Sequence, residues 1–227
     1  MREFFVAYSI LTGFVIFAQL SSNELLQNLL KPTLMLWLIA GYVYYAWKKF
    51  EKFDYLILLA LFFSLLGDAF LMPLFNHFIA GLLGFLVAHI LYITAFFSEM
   101  KGGLNSPKKI TLGFGFIIYA SLLGLIYYTL IPRGESMVLL VAIGVYATAL
   151  FGLFASTLFR KPKSKVSAQL IIIGGTFFLL SDSFLAINRF VFPLPYAPLW
   201  VMTTYTLAQA LIMKGSLIRN TSNTKSF

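Results

Sequence analysis

Two acidic residues lie inside long apolar runs, where a membrane chain rarely carries charge. Asp68 lies within Tyr55–Met72 and Asp182 within Leu170–Ile187, in the matching octads LLGDAFLM and LLSDSFLA. A carboxylate at membrane depth costs roughly 2.5–3.5 kcal/mol on insertion scales and marks a functional candidate. If both meet at one polar site they do not ionise together readily, so one is expected to hold a proton for acid–base catalysis. The alternative is a pair of structural residues, each hydrogen-bonded to a neighbouring helix.

A second similarity links two later segments, VAHIL at 87–91 and LAQAL at 207–211, and aligns His89 with Gln209. Tyr92 lies one helical turn after His89, and Tyr205 one turn before Gln209, so each pair shares a helical face. Because glutamine does not titrate, the shared role is hydrogen bonding. These four residues are candidates for positioning a substrate or an aspartate, and the alternative is interhelical bonding and packing.

Three further polar residues are candidate substrate contacts. Ser181 precedes Asp182, and its small side chain leaves room for a ligand. Lys31, followed by Pro32, is expected to begin the second apolar span and to bind a lipid phosphate, or simply to extend towards the interface. Arg189 follows Asp182 by about two turns and is expected either to meet an anionic head group or to mark the interface.

The composition predicts an all-α, polytopic membrane bundle. The 227 residues are 60% hydrophobic and 11% charged, against roughly 25% charged in soluble domains. Lipid offers backbone groups no partner, so the long apolar runs are expected to be helices. Eight spans in a single domain, 1–227, are predicted at about 4–20, 33–47, 53–72, 78–98, 110–131, 136–159, 166–187 and 196–213. The first is expected to be an uncleaved helix rather than a signal peptide.

Basic residues predict the orientation. With the N-terminus inside, the inside segments hold 14 of the 17 Lys and Arg residues, and the outside segments hold only Lys31, Arg133 and Arg189. The inside set is Arg2, Lys48, Lys49, Lys52, Lys101, Lys108, Lys109, Arg160, Lys161, Lys163, Lys165, Lys214, Arg219 and Lys225. Both termini are therefore expected in the cytoplasm, which would make this an inner-membrane protein in a bacterium. The formal charge of +9 then reflects topology and anionic lipid rather than a nucleic-acid partner.

The octads and the second similarity together predict an internal repeat. Spans 3–4 and 7–8 resemble each other as hairpins, and both aspartate-bearing spans run in the same direction. The repeat is therefore expected to be parallel, with a pseudo-axis along the membrane normal.

Several site classes are excluded or disfavoured by residue counts. The chain has no cysteine, so disulfides, thiolate nucleophiles and cysteine metal sites are excluded. Two histidines, His77 and His89, are too few for a histidine-rich metal site. No nucleotide-binding loop, G-x-S-x-G or H-E-x-x-H motif is present. These counts therefore argue against a metal site.

An ordered set of motifs resembles the YhhN-like family of lysoplasmalogenases. It consists of KP at 31–32, GDAFL at 67–71, GLLGFLVAHILY at 81–92, GGTFFLLSDSFLA at 174–186 and YTLAQALI at 205–212. The resemblance implies an eight-helix membrane hydrolase that cleaves the vinyl ether of lysoplasmalogens with choline or ethanolamine head groups. The products would be a fatty aldehyde and a glycerophospho-head group, and no cofactor is implied.

The two aspartates suit that chemistry. A vinyl ether hydrolyses by proton transfer to its β-carbon, followed by addition of water to an oxocarbenium ion. An acid and a carboxylate are needed, as in glycosidases, and Asp182 is the favoured acid. Three alternatives remain open: a proton-coupled transporter or lipid flippase using the same pair, a metal-dependent lipid amidase of the ceramidase type, and a non-catalytic membrane protein. The sequence leaves the oligomeric state open.

Overall fold

The computed structural model describes residues 1–100 and 103–220, so Lys101, Lys225 and most of the polar tail lie outside the described residues. The described part is all-α. Its eight helices are α1 (Arg2–Leu20), α2 (Glu24–Ala46), α3 (Lys52–Phe70), α4 (Phe78–Phe97), α5 (Ser106–Leu130), α6 (Met137–Phe159), α7 (Lys165–Ala186) and α8 (Ala197–Leu217). A short 3₁₀ turn, Trp47–Lys49, extends α2, and a π-helical turn, Ile187–Val191, extends α7.

Seven of these helices are long and apolar enough to cross a membrane, and the chain is an integral membrane protein. The seventh of these candidate spans runs from Lys165 to Val191 and includes the π-helical turn. Helix α8 is equally long but less apolar, because it carries threonines and Gln209 among its residues. Many of its polar side chains are buried against the other helices instead of facing outward.

Helix α2 begins earlier than its sequence signals indicate. Lys31–Pro32 was expected to begin a helix, but α2 begins at Glu24 and continues through Pro32. Asn23 caps this earlier start, because its side chain accepts a hydrogen bond from the backbone N–H of Leu26 at 3.0 Å. Proline inside a helix removes one backbone hydrogen-bond donor, but α2 continues through Pro32 without a break. Lys31 therefore lies inside the helix and not at its start.

The chain also stays helical beyond the end expected for the seventh span. The predicted seventh span ends at residue 187, but the π-helical turn carries the helix on to Val191. Single π turns widen a helix and occur often at functional sites. This turn holds Arg189, whose guanidinium carbon lies 5.1 Å from the centre of the Phe78 ring at the start of α4.

The hairpins α3–α4 and α7–α8 form the most extensive helix contacts in the bundle. Glycine permits the first of these contacts, since a Cβ added at Gly84 would lie 2.8 Å from the backbone nitrogen of Gly67. In the second hairpin, a Cβ at Gly174 would lie 3.1 Å from the carbonyl oxygen of Ala208. Both hairpins therefore need close backbone approach, as small residues allow in membrane bundles. Helix α5 is peripheral and packs chiefly on α6 and the π-helical turn.

An ion-pair network, largely buried except at Glu51, lies at the end of the bundle where α3 begins. Arg219 donates to both carboxylate oxygens of Asp54, at 2.7 and 2.9 Å, and to Glu51 at 2.9 Å. Tyr42 and the backbone N–H of Glu51 also donate to Asp54. Burial disfavours the charged form of Arg219, but the hydrogen bonds to Asp54 and the charge of Asp54 outweigh this effect. Together they raise the pKa of Arg219.

Arg160 extends this network. Its side chain is fully buried, donates from Nε to Glu99 at 2.9 Å, and lies over the Phe96 ring at 5.1 Å. Glu99 also pairs with Arg219 at 3.5 Å. Arg160 and Arg219, which entered the sequence argument only as topology signals, therefore join the ends of α3, α4, α6 and α8. We call Glu51, Asp54, Glu99, Arg160 and Arg219 the ion-pair network.

Candidate functional site

The opposite end of α3 carries Asp68 in its last turn, where the carboxylate is paired with a cation. The Nζ atom of Lys31, on α2, lies 3.2 Å from Oδ1 of Asp68. The hydroxyl of Tyr205, on α8, donates to Oδ2 at 2.7 Å. Both partners of the ion pair are largely buried, with 11% and 4% of their side chains exposed. Asp68 is therefore held between an ammonium group and a phenolic hydroxyl at the end of α3.

Asp182, near the end of α7, has a different partner. The hydroxyl of Tyr146, on α6, donates to Oδ2 of Asp182 at 2.5 Å. The Nε2 atom of His89, on α4, lies 3.8 Å from the same oxygen, which is beyond hydrogen-bond distance. The two aspartates therefore differ in their partners: Asp68 has an ammonium and a phenol, whereas Asp182 has a phenol and no lysine or arginine partner in the described part of the chain.

His89 is fully enclosed beside Asp182. Its ring packs against Tyr146 and Phe178, with ring centres 5.2 and 5.0 Å away. Neither ring nitrogen has a hydrogen-bond partner within the described ranges. An unpaired buried polar group is costly, and the nearby oxygen of Asp182 lies 3.8 Å from Nε2.

Both aspartates line one cavity, which we call the polar cavity. It has a volume of about 1040 Å³, counted with its open mouth. Its walls come from α2, α3, α4, α7 and α8, the end of α1 and the adjoining connections. The lining residues are Gln19, Lys31, Asp68, Leu71, Asn76, Phe78, Phe85, Ser181, Asp182, Leu185, Asn188, Arg189, Ala197, Pro198, Val201, Met202 and Tyr205.

Six of the nine candidate residues from the sequence lie on this wall. Besides the two aspartates they are Lys31, Ser181, Arg189 and Tyr205. Ser181 donates to the backbone carbonyl of Val201 at 3.2 Å, which ties α7 to α8 beside the cavity. Lys31 and Arg189 give the wall two cationic groups, so an anionic ligand group would find partners there.

Tyr92 and Gln209 are fully buried and do not line the cavity. Tyr92 donates to the side-chain oxygen of Gln209 at 2.7 Å, and Gln209 donates to the hydroxyl of Ser64 at 3.1 Å. This chain of hydrogen bonds joins α3, α4 and α8 one layer away from Asp68. A direct role for Tyr92, His89 and Gln209 in binding stays a prediction.

Tyr146, Asn76 and Asn188 belong to the site but were not identified from the sequence. Tyr146 lies in an apolar span that matches neither octad, so no pattern distinguishes it from interfacial tyrosines. Asn76 lies in a connection, and Asn188 lies in the π-helical turn that the predicted span did not include. A prediction that extended the seventh span to Val191 would have placed Asn188 on the same helix as Asp182. No group of three His, Asp or Glu residues able to hold a metal occurs in the described part of the chain.

The site holds two carboxyl groups on one cavity wall: Asp68 is paired with a lysine, and Asp182 accepts a hydrogen bond from a tyrosine. A carboxylic acid can protonate a reacting atom, while an anion across the cavity stabilises developing positive charge. Two carboxyl groups in contrasting surroundings are the usual sign of separate acid and base roles.

Comparison with known proteins gives a consistent assignment. The family described as the YhhN family matches residues 26–216. Human lysoplasmalogenase TMEM86A is 33% identical over 160 residues, covering 69% of this chain and 62% of the relative. Rat lysoplasmalogenase TMEM86B is 34% identical over 194 residues, covering 84% and 70%, and the pig TMEM86B protein is 37% identical over 154 residues, covering 67% and 59%. The chain thus spans less than two thirds of several of these relatives. No solved structure matches it.

Proposed function

Because the chain belongs to the YhhN family, we propose that it is a membrane hydrolase that cleaves the vinyl ether of lysoplasmalogens. The products are a fatty aldehyde and a glycerophospho-head group. One observation carries the proposal: Asp68 and Asp182 line one open cavity, and only Asp68 is paired with a lysine. The relatives named lysoplasmalogenases support the choice of substrate.

In the proposed mechanism Asp182 is the acid. Its proton moves to the β-carbon of the vinyl ether and leaves an oxocarbenium ion. Asp68, held as an anion by Lys31, stabilises this cation and takes a proton from the attacking water. Such electrostatic stabilisation is strong in a site of low dielectric constant.

The hemiacetal then collapses. Its hydroxyl proton returns to Asp182 as the carbonyl forms, and Asp68 gives its proton to the departing glycerol oxygen. Both aspartates thereby regain their starting states, and one water is consumed. No metal or organic cofactor takes part, and Tyr146 orients Asp182 throughout.

The head group is proposed to occupy the polar cavity. Lys31 and Arg189 both line it, and guanidinium groups match phosphate geometry well. The phosphate is placed nearer Arg189, since Lys31 is occupied by Asp68. His89, Tyr92 and Gln209 are proposed to fix the positions of Asp182 and the adjoining helices.

The membrane arrangement is also proposed to follow the sequence expectation, with eight crossings and both termini in the cytoplasm. Hairpins α3–α4 and α7–α8 are proposed to be a parallel repeat. In support, the preceding helix supplies the partner of each aspartate: Lys31 on α2 for Asp68, and Tyr146 on α6 for Asp182. Similarly, α8 packs on α2 as α4 packs on α6.

The test is aldehyde release from a lysoplasmalogen by detergent-purified protein, with and without EDTA. We expect equal activity in both, because the proposed reaction uses only protein carboxyl groups and water. Loss of activity in EDTA, restored by a metal, would overturn the metal-free mechanism. Absence of aldehyde from folded protein would instead favour the transporter alternative, which proton uptake by proteoliposomes would then test.

A further inference from the structure

A second cavity lies beside the polar one and is almost entirely apolar. It has a volume of about 600 Å³, and helices α5, α6 and α7 enclose it together with the start of α4. Leu82, Leu122, Ile126, Ile143, Ala147 and Leu150 are among its lining residues. We call this space the apolar cavity. That volume includes the space at the cavity opening.

The two cavities meet at Asp182. Phe78, Asp182, Leu185 and Arg189 line both of them. Tyr146, the hydrogen-bond donor to Asp182, lines the apolar cavity. A ligand that fills both cavities would therefore be apolar at one end and polar at the other, with its linkage beside Asp182.

Helix α5 separates the apolar cavity from the surroundings. Its inner side supplies Tyr119, Leu122, Leu123 and Ile126 to the cavity wall, whereas Leu125 on the same helix is 41% exposed. The cavity is thus enclosed by the most peripheral helix of the bundle, and it is not a gap in the central core.

We propose that the apolar cavity holds the hydrocarbon chain of the lipid substrate and so selects its length. This rests on the proposed function, since a single-chain phospholipid is the ligand with one apolar chain and one polar head group that contains an anionic phosphate. Because the two cavities are continuous at Asp182, one lipid can fill both. Its hydrocarbon chain lies among the leucines of α5 and α6, its ether linkage lies at Asp182, and its phosphate lies near Arg189 in the polar cavity. The β-carbon of the alkenyl group, which lies on the hydrocarbon side of the ether oxygen, is then beside Asp182, the proposed acid.

The first test compares Leu122→Trp, which fills the cavity, with Leu125→Trp, a matched change on the exposed side of α5. Lysoplasmalogens of short and long alkenyl chain are assayed with each. Excluding two or three methylenes from an apolar site lowers kcat/KM for the long chain roughly tenfold or more. We expect Leu122→Trp to lose much more activity on the long chain than on the short one, and Leu125→Trp to behave as wild type on both. Equal losses on both chains by folded Leu122→Trp would overturn the proposal.

The second test needs no turnover and covers a variant that fails to fold. A non-cleavable alkyl lysophospholipid with a diazirine at the chain end is photolysed with wild-type protein, and the labelled peptides are sequenced. We expect labels on α5 and α6 at cavity-lining positions such as Leu122 and Ala147, competed by excess unlabelled lysophospholipid. Labels confined to exposed positions such as Leu125, or to the polar cavity, would overturn the proposal.

The two tests separate this inference from the proposed hydrolysis. Labelling of the apolar cavity without any aldehyde would support chain binding and remove the hydrolase function. Aldehyde release with labelling elsewhere would keep the hydrolase and remove the chain site.

Discussion

Helix α3 buries a carboxylate at each end, and the two ends are built differently. Asp54 receives four hydrogen bonds, two from Arg219, one from Tyr42 and one from backbone. Asp68 is paired with one lysine, accepts a hydrogen bond from one tyrosine, and lines the polar cavity. Both are almost fully buried, at 2% and 3% exposure. Burial alone therefore does not separate a structural carboxylate from a functional one.

What separates them is saturation of the carboxylate and the space beside it. The carboxylate of Asp54 accepts four hydrogen bonds from protein groups and lies within the ion-pair network. Its oxygens therefore have no free position for a ligand. Asp68 and Asp182 keep part of their surroundings free for a reacting molecule. The same residue type on one helix thus has a structural role at one end and a proposed chemical role at the other.

The largest expected effect comes from exchanging aspartate for asparagine at the two ends. We expect Asp68→Asn and Asp182→Asn each to lower kcat by roughly 10²–10⁴, the usual contribution of a general acid or base. Asp54→Asn should leave kcat of the folded fraction unchanged and lower stability. The readouts are aldehyde release and size-exclusion profile on each preparation. A folded Asp182→Asn variant with full activity would remove Asp182 from the mechanism.

The next largest effect is expected in the ion-pair network at the start of α3. Arg219→Ala leaves Asp54 buried without its guanidinium, and breaking a buried pair in this way costs about 3–5 kcal/mol. We expect a marked fall in the thermal unfolding temperature in detergent. Arg133→Ala, at an exposed arginine bonded to the carbonyl of Phe190, is the matched control and should change little. Equal shifts for the two variants would show that the network does not stabilise the fold.

A smaller effect is expected at Lys31. Lys31→Gln removes the charge opposite Asp68, and a hydrogen bond to a charged group contributes about 1.5–3 kcal/mol. We expect kcat to fall roughly 10- to 100-fold at that magnitude, with substantial recovery in Lys31→Arg. Steady-state kinetics on both variants measure the change. Unchanged kcat in Lys31→Gln would mean that Asp68 does not need its cation to act.

The smallest effect is expected at Tyr146. Tyr146→Phe removes the hydroxyl that orients Asp182, and a neutral hydrogen bond contributes about 0.5–1.5 kcal/mol, or roughly 2- to 10-fold in rate. Tyr127→Phe is the control, because Tyr127 donates to the carbonyl of Leu140 and lines neither cavity. A loss confined to Tyr146→Phe supports the orienting role. Similar losses in both would point to a general packing effect.

The sequence predicted the helical class and drew attention to Asp68 and Asp182, because matching octads are visible without a structure. It placed Lys31 at a helix start, since Lys–Pro resembles an N-terminal signal, while the competing cap at Asn23 lies upstream. It gave no sign of Tyr146, because a tyrosine in an apolar span has many roles. The pairing of Asp54 with Arg219 joins residues far apart in the chain, and no local pattern encodes such a contact.

The most direct measurement is hydrolysis of a lysoplasmalogen in D₂O by the purified wild-type protein. The account predicts a fatty aldehyde of full chain length that carries one deuterium on the carbon next to the carbonyl, because an exchanged Asp182 delivers its deuteron there. Preformed aldehyde incubated in D₂O gives the background of exchange. A full-length aldehyde without deuterium above that background, a shortened aldehyde, or no aldehyde at all would contradict protonation of the vinyl ether by Asp182.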